Sequence, residues 1–181
     1  MIRIWKTLSR QLLESVPIFS VSRVRREHPE MGEADFYVMD LPDWINVVAL
    51  TPEEDVVLVR QYRHGTEEIT LEIPGGNVDE GESSREAAIR ELREETGYEA
   101  REWVDIGTVE PNPAFMGNAC KTWLALGARP TAEPNPDHHE EIEVVRVPRA
   151  AFDTLIENEE ITHSLVVSAA YHLARYEARS G

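Results

Sequence analysis

Apolar and polar residues alternate in short runs through the first third of the chain and then give way to a helical period. Ile18, Val21 and Val24 stand among polar neighbours over Ile18–Arg25, His28–Glu33 reads as a turn, and Asp35–Asp40 reads as a returning strand. Together they predict an N-terminal hairpin. Trp44–Thr51 and Val56–Val59 are nearly continuous apolar runs separated by Pro52-Glu53-Glu54-Asp55. That is the pattern of an antiparallel pair buried in the centre of a sheet. A short strand over Thr70–Ile73 is cut off by Pro74-Gly75-Gly76. Then comes a helix: Ser83 with Glu86 three residues on makes a capping box, and Gly97 stands where a glycine ends the helix in the left-handed conformation. Its apolar stripe is narrow, made of Ala88, Leu92 and the edge of Ile89.

Strands follow over Trp103–Glu110, Lys121–Leu126 and Ile142–Val147, with a polar loop over Pro130–Glu141. The chain closes with a short helix over Arg149–Glu157 and a longer one from about Thr162, where Leu165, Val166, Ala169, Ala170 and Leu173 recur at helical spacing. The expected architecture is α+β, layered α/β/α around a sheet.

Composition narrows what such a fold can do. At 181 residues and 41% apolar content the chain supports one ordinary domain with a small N-terminal addition. Eighteen basic residues against 34 acidic ones give a formal charge of -16, which disfavours long polyanions such as nucleic acids. It also makes a local cation more necessary at any site for a small anion. Cys120 is the only cysteine, so no intrachain disulfide forms and a reducing compartment fits. The opening MIRIWKTLSRQLLES lacks the pattern of a secretory signal, and no run reaches the ~18 apolar residues of a membrane span. A soluble cytoplasmic protein is the expectation, with no membrane partner.

The candidate chemistry lies in Gly76–Tyr98, GNVDEGESSREAAIRELREETGY. Glu91, Glu94 and Glu95 fall within an arc of roughly 100° on one helix. Like charges at this spacing repel and weaken an isolated helix, so a divalent cation is the natural way to neutralise them. A solvated acidic helix face is the competing reading. Against it stand Gly75, Gly76 and Gly81, which let backbone approach a ligand or ion, and Arg90, four residues from both Glu86 and Glu94, which can clamp neighbouring carboxylates. Glu91 and Glu95 present oxygens to one point, and an all-oxygen donor set selects Mg²⁺ or Mn²⁺. Bound there, a diphosphate loses charge repulsion and a water becomes a better nucleophile.

The same residues resemble the Nudix box at each of its defined positions: Gly76, five residues, Glu82, seven residues, Arg90-Glu91-Leu92, one residue, Glu94-Glu95, one residue, Gly97-Tyr98. The resemblance implies a Nudix fold with a mixed central sheet. It also implies hydrolysis of a pyrophosphate bond, with Mg²⁺ (or Mn²⁺) held by Glu91, Glu94 or Glu95 and the carbonyl of Gly75. Residues 1–42 then form the N-terminal hairpin extension and residues 43–181 the hydrolase domain.

Val57-Leu58-Val59-Arg60-Gln61-Tyr62-Arg63, followed by Leu71-Glu72-Ile73-Pro74-Gly75-Gly76, is similar to the ADP-ribose and nucleoside diphosphate sugar pyrophosphatase branch. There Arg63 and Gly76 correspond to substrate-binding positions. His139-Glu140-Glu141-Ile142-Glu143-Val144 resembles that branch's loop carrying a catalytic base, Glu140 first and Glu141 second. Phe115 is the aromatic residue suited to stacking on adenine, and a homodimer formed through the N-terminal region is implied. The adjacent His138-His139 reads as a solvated pair, since no other ligand stands at zinc spacing. Ile161-Thr162-His163-Ser164-Leu165 lacks an Asp-x-Lys pair found in nucleotide-sugar enzymes, which leans the reading toward ADP-ribose. Two rivals stand beside it: a nucleoside triphosphate pyrophosphohydrolase, and a non-catalytic ADP-ribose sensor. Retention of all three helix carboxylates speaks against the sensor.

Overall fold

The computed structural model describes residues 1–136, 138 and 140–180, the last by its backbone alone. It divides into two compact units, residues 1–43 with 110–119 and residues 44–109 with 120–181.

The first unit is built on an antiparallel meander, β1 (Lys6–Val16), β2 (Phe19–His28) and β3 (Gly32–Asp40), in that spatial order. The expected hairpin is therefore the second half of a three-stranded sheet. The first strand is hard to see in the sequence for a physical reason. Its pairing with β2 shifts register between Thr7 and Ser9 and again between Leu12 and Glu14, so the apolar residues never keep a period of two. All eleven of its residues are exposed, so burial imposes no pattern on it either. Met39 and Met116 form a parallel bridge that ties residues 110–119 to this unit, and the Met39 N–H donates to the Phe115 carbonyl at 2.8 Å.

In the second unit a mixed sheet carries helices on both faces. Its strands are β4 (Trp44–Leu50), β5 (Asp55–Arg63), β6 (Glu68–Glu72), β7 (Gly75–Asn77), β9 (Glu102–Val109), β10 (Cys120–Leu126) and β12 (Ile142–Pro148), and a separate two-stranded pair joins β8 (Tyr98–Glu99) to β11 (Arg129–Pro130). The helices are α1 (Ser84–Thr96), α2 (Arg149–Glu157) and α3 (Ser164–Ser180). The main order is β12-β5-β4-β10-β9, with β4–β10 parallel and its other pairings antiparallel. Strand alternation divides the core: Val48, Val56, Leu58 and Leu124 face α2 and α3, whereas Ile45, Val47, Val57 and Ala125 face α1. The result is the expected α/β/α layering.

One irregularity positions the site. β4 and β5 pair only at Ala49–Val57 and Leu50–Val56, then diverge. Beyond the split, β5 pairs with β6 and β4 pairs with β7. Pro74 lies at the crossover, where its carbonyl accepts the Val47 N–H at 2.8 Å. Splaying two central strands opens a cleft in the middle of an otherwise closed sheet.

Candidate active site

The cleft is a cavity of about 1080 Å³, lined by residues from both arms of the split, by Glu95 of α1, by Glu140 and Glu141, and by residues 162–165 ahead of and opening α3. That volume lies just above the usual range of roughly 300–1,000 Å³ for small-molecule pockets.

Helix α1 forms one wall, and its start is fixed by the predicted capping box. The Glu86 N–H donates to the Ser83 hydroxyl at 3.3 Å, and the Ser83 N–H donates to the Glu86 carboxylate at 2.9 Å. Glu86 is thus spent on the cap and is not a partner of Arg90, contrary to what its spacing allowed. Gly97 ends the helix at φ 72°, where a Cβ would also collide with the Ala132 carbonyl. The buried stripe is Ala87, Ala88 and Leu92. Ile89, expected at its edge, is half-buried and borders a groove on the other side with Arg93 and Glu133. Glu91 and Glu95 follow Ala87 and Ala88 at helical spacing, which carries them inward, and Glu95 is only 4% exposed.

Arg90 organises these acids. Its Nη1 donates to Glu91 Oε1 at 2.8 Å and to Glu94 Oε2 at 3.1 Å. Nε and Nη2 form a fork on Glu82 at 3.1 and 3.0 Å, and Nη2 also reaches the Asn77 carbonyl at 3.0 Å. The Glu82 bond, outweighing burial, raises the guanidinium above the ordinary arginine value, and Arg90 in turn holds the Glu82 carboxyl below its own. Glu94 stays on the rim of the helix, 42% exposed.

Glu91 and Glu95 behave differently. Burial lifts the Glu91 carboxyl above its usual range despite Arg90, and burial together with the Glu91 charge lifts Glu95 well above. Glu95 Oε2 accepts the Gly75 N–H at 3.1 Å. Gly76 packs on Glu91 so closely that a Cβ there would overlap its carboxylate. Among the described residues no three Asp, Glu, His or Cys side chains are gathered into a ready-made cage for a metal ion. What the chain supplies is a partial donor set of two inward carboxylates beside the Gly75-Gly76 backbone. Both are pushed toward their neutral forms, chiefly by burial, with the charges of Glu94 and Glu140 adding at Glu91 and those of Glu91 and Glu140 at Glu95. A hard cation would reverse this. The residues present therefore fit a hard divalent cation.

Opposite α1, Arg63 lines the cleft. Its Nε and Nη2 donate to Glu72 Oε1 and Oε2, both at 2.8 Å, in a two-pronged pair. Glu72 is 3% exposed and also accepts from the Thr70 hydroxyl at 2.6 Å. Burial alone would raise its carboxyl, but the Arg63 and Thr70 bonds and the charges of Arg63 and His163 leave it below the usual value. The Arg63 guanidinium, 42% exposed, also feels Glu95 and Glu140 across the cleft. The structure thus gathers Arg63, Gly75, Gly76, Glu95, Glu140 and Glu141 around one cavity, with Glu91 against Gly76. Phe115 belongs to the first unit, and its side chain is exposed. His138 is exposed too, while His139 lies outside the described residues. Sequence reasoning gave no role to Glu72 or His163. A buried glutamate between Leu71 and Ile73 in a strand was the available signal for the first, since such a charge needs a partner.

The chain is similar to several known proteins. Across 174 residues, 96% of the chain and 94% of the relative, it is 28% identical to the ADP-ribose pyrophosphatase of Bacillus subtilis (strain 168). It is 30% identical over 138 residues to the methanol dehydrogenase activator of Bacillus methanolicus, covering 76% of this chain and 75% of that one. The fold matches a crystal structure of an ADP compounds hydrolase with a TM-score of 0.88 at 24% identity, covering 100% of this chain and 98% of that one. The NUDIX domain matches residues 42–167, which takes in the split sheet, the glycine approach and the whole of α1. The motif on α1 and the fold that presents it therefore lead to the same place, and the chain belongs to the Nudix hydrolase family.

Proposed function

We propose that this chain hydrolyses the pyrophosphate bond of ADP-ribose, or of a related nucleoside diphosphate sugar, to a nucleoside monophosphate and a sugar phosphate in a Mg²⁺-dependent reaction. The observation that carries the reading is one cavity with a cationic wall at Arg63 and an acidic wall at Glu95, with Glu91 beside it. An anionic diphosphate needs the first, and the cation that must accompany it needs the second. The strand ending in Arg63 and the similarity to the Bacillus subtilis ADP-ribose pyrophosphatase support ADP-ribose as the substrate.

In this reading Glu91 and Glu95, with the Gly75 carbonyl, hold Mg²⁺, and Glu94 shares or tunes that role. Bound there, the ion supplies charge neutralisation of the diphosphate and lowers the pKa of water. Everything else is done by the chain. Arg90 keeps Glu91 and Glu94 from swinging into solvent by bonds at 2.8 and 3.1 Å. Arg63 orients the diphosphate, and the buried Glu72 fixes the plane of its guanidinium. Glu140, or failing it Glu141, takes the proton of the attacking water; both line the cavity. Residues 1–42 serve dimerisation: Leu8, Leu12, Leu13, Val16 and Ile18 are exposed apolar side chains there, more than a free surface favours. Sedimentation at micromolar concentration checks that role, and a monomer would contradict it.

A substrate panel with Mg²⁺ tests the function: ADP-ribose, GDP-mannose, UDP-glucose, NADH, diadenosine polyphosphates and the nucleoside triphosphates. Fastest turnover of ADP-ribose or another diphosphate sugar is expected. Fastest turnover of a triphosphate would move the chain to the pyrophosphohydrolase reading, and binding without turnover would move it to the sensor.

A further inference from the structure

We propose that His163 is a positioning residue for the substrate's phosphates, acting through Glu72 on Arg63. The inference rests on reading the cavity as a diphosphate site. His163 immediately precedes α3, where its carbonyl accepts the N–H groups of Val166 and Val167 at 3.0 and 3.1 Å, so its backbone is fixed. Its side chain lines the cavity and is 36% exposed, yet Nδ1 is fully buried and has no hydrogen-bond partner. An unpaired buried nitrogen is costly. The acceptor facing it is Glu72 Oε2, 3.8 Å away, too far for a hydrogen bond and close enough to become one with a small rotation. A carboxylate can only accept, so that hydrogen bond requires the proton on Nδ1.

The geometry gives this near-contact a purpose. Arg63 gives Nε–H and one Nη2–H to Glu72. A diphosphate can take the guanidinium's remaining donors, on Nη1 and Nη2, while Glu72 still holds its plane. The pull toward the anion weakens the Glu72 pair, and any lengthening there leaves a carboxylate that is 3% exposed short of a partner. His163 Nδ1–H is placed to make up that loss. Thr70 already donates to Oε1, whereas Oε2, which takes Arg63 Nη2, is the oxygen facing His163. His163 thus lets Arg63 be shared between Glu72 and the substrate, and it acts on affinity more than on the chemical step. The competing view, a surface histidine at a helix start, leaves the buried Nδ1 unexplained.

Two substitutions separate these views. His163→Ser supplies a helix-capping hydroxyl but cannot reach Glu72. His163→Asn places an amide N–H near the position of Nδ1. For hydrolysis of ADP-ribose with Mg²⁺, His163→Ser should raise KM about tenfold with kcat changed less than threefold, the scale of losing one charge-assisted hydrogen bond. His163→Asn should stay within threefold of the wild-type KM, and in a Glu72→Gln background His163→Ser should add nothing further. Binding of inorganic pyrophosphate with Mg²⁺, followed by calorimetry, should weaken in the same order. A His163→Ser protein with wild-type KM and wild-type pyrophosphate affinity overturns the inference and leaves the diphosphate reading standing, as does equal impairment of the Ser and Asn variants. If the wild-type protein neither hydrolyses the diphosphate sugars nor binds pyrophosphate, the reading of the cavity falls and takes the inference with it.

Discussion

Replacing Gly76 by alanine isolates the catalytic demand on this segment from its structural one. Gly76 lies in β7, outside the left-handed region, so alanine fits its backbone. The change alone would be neutral or stabilising by about 0.4–1 kcal/mol, through the lost freedom of the unfolded chain. What the new methyl meets is the Glu91 carboxylate: its Cδ and Oε1 would overlap the Cβ, and Oε2 would lie 2.9 Å away. Van der Waals contact requires roughly 3.5 Å, so the carboxylate must retreat by about 1 Å. It can do so, being the end of a flexible side chain, but it leaves the Arg90 Nη1 bond at 2.8 Å and the proposed metal position together. A misplacement of about 1 Å at a reacting centre costs on the order of 100-fold in rate. Gly76→Ala should therefore lower kcat/KM for ADP-ribose about 100-fold and raise the Mg²⁺ concentration needed for half-maximal rate, with a thermal midpoint within a few degrees of wild type. Gly75→Ala is the contrast: its Cβ would stand 2.5 Å from the backbone carbonyl of Ile45, so β4 and β7 must part and the midpoint should drop. A Gly76→Ala protein with wild-type activity and metal dependence would refute the placement of Glu91 in the catalytic machinery.

Further outcomes follow from the same geometry. Glu95→Gln keeps the shape and can still accept the Gly75 N–H, so it should fold with an undiminished thermal midpoint in EDTA while losing metal-dependent turnover by more than about 100-fold; near-normal turnover would remove Glu95 from the metal site. Of Glu140→Gln and Glu141→Gln, the first should depress kcat with little change in KM, and unchanged rates in both would place the base elsewhere. His172 of α3 is buried, with an unpartnered Nε2 and a ring that a Cβ at Gly107 would overlap. Burial and then Arg175 push its pKa down, with Asp105 opposing. The unfolded chain therefore binds its proton more tightly, and folding stability attributable to it is lost as pH falls from about 6.5 toward the lower folded value. Thermal midpoints measured between pH 8 and pH 5 should fall more steeply for wild type than for His172→Gln; parallel slopes would contradict this.

The parts of the site legible in sequence were those set by local spacing. A capping box, a terminal glycine and carboxylates at helical intervals define α1 and its acids without reference to the rest of the fold, and nearly continuous apolar runs mark β4 and β5 as strands buried on both faces. Parts requiring a tertiary partner were not. Arg90 has two acidic neighbours at four-residue spacing, and only the structure shows that Glu86 is already committed to Ser83. The parallel pairing of β4 with β10 joins residues about 76 apart, and the split between β4 and β5 that opens the cavity leaves no trace in either strand's own pattern. Glu72 and His163 are some ninety residues apart, and their relation exists only because α3 begins at the edge of that split. β1 escaped notice because two register shifts and full exposure erase the alternation by which strands are found.

The central claim is that the acidic wall at Glu91 and Glu95 and the cationic wall at Arg63 together break a pyrophosphate bond. ³¹P NMR of ADP-ribose incubated with the protein and Mg²⁺ tests it most directly. The diphosphate resonances should give way to two monoester resonances, AMP and ribose 5-phosphate, with no change when EDTA replaces the metal. Persistence of the diphosphate resonances in a folded protein supplied with Mg²⁺ or Mn²⁺, for ADP-ribose and the other diphosphate sugars alike, would contradict the account.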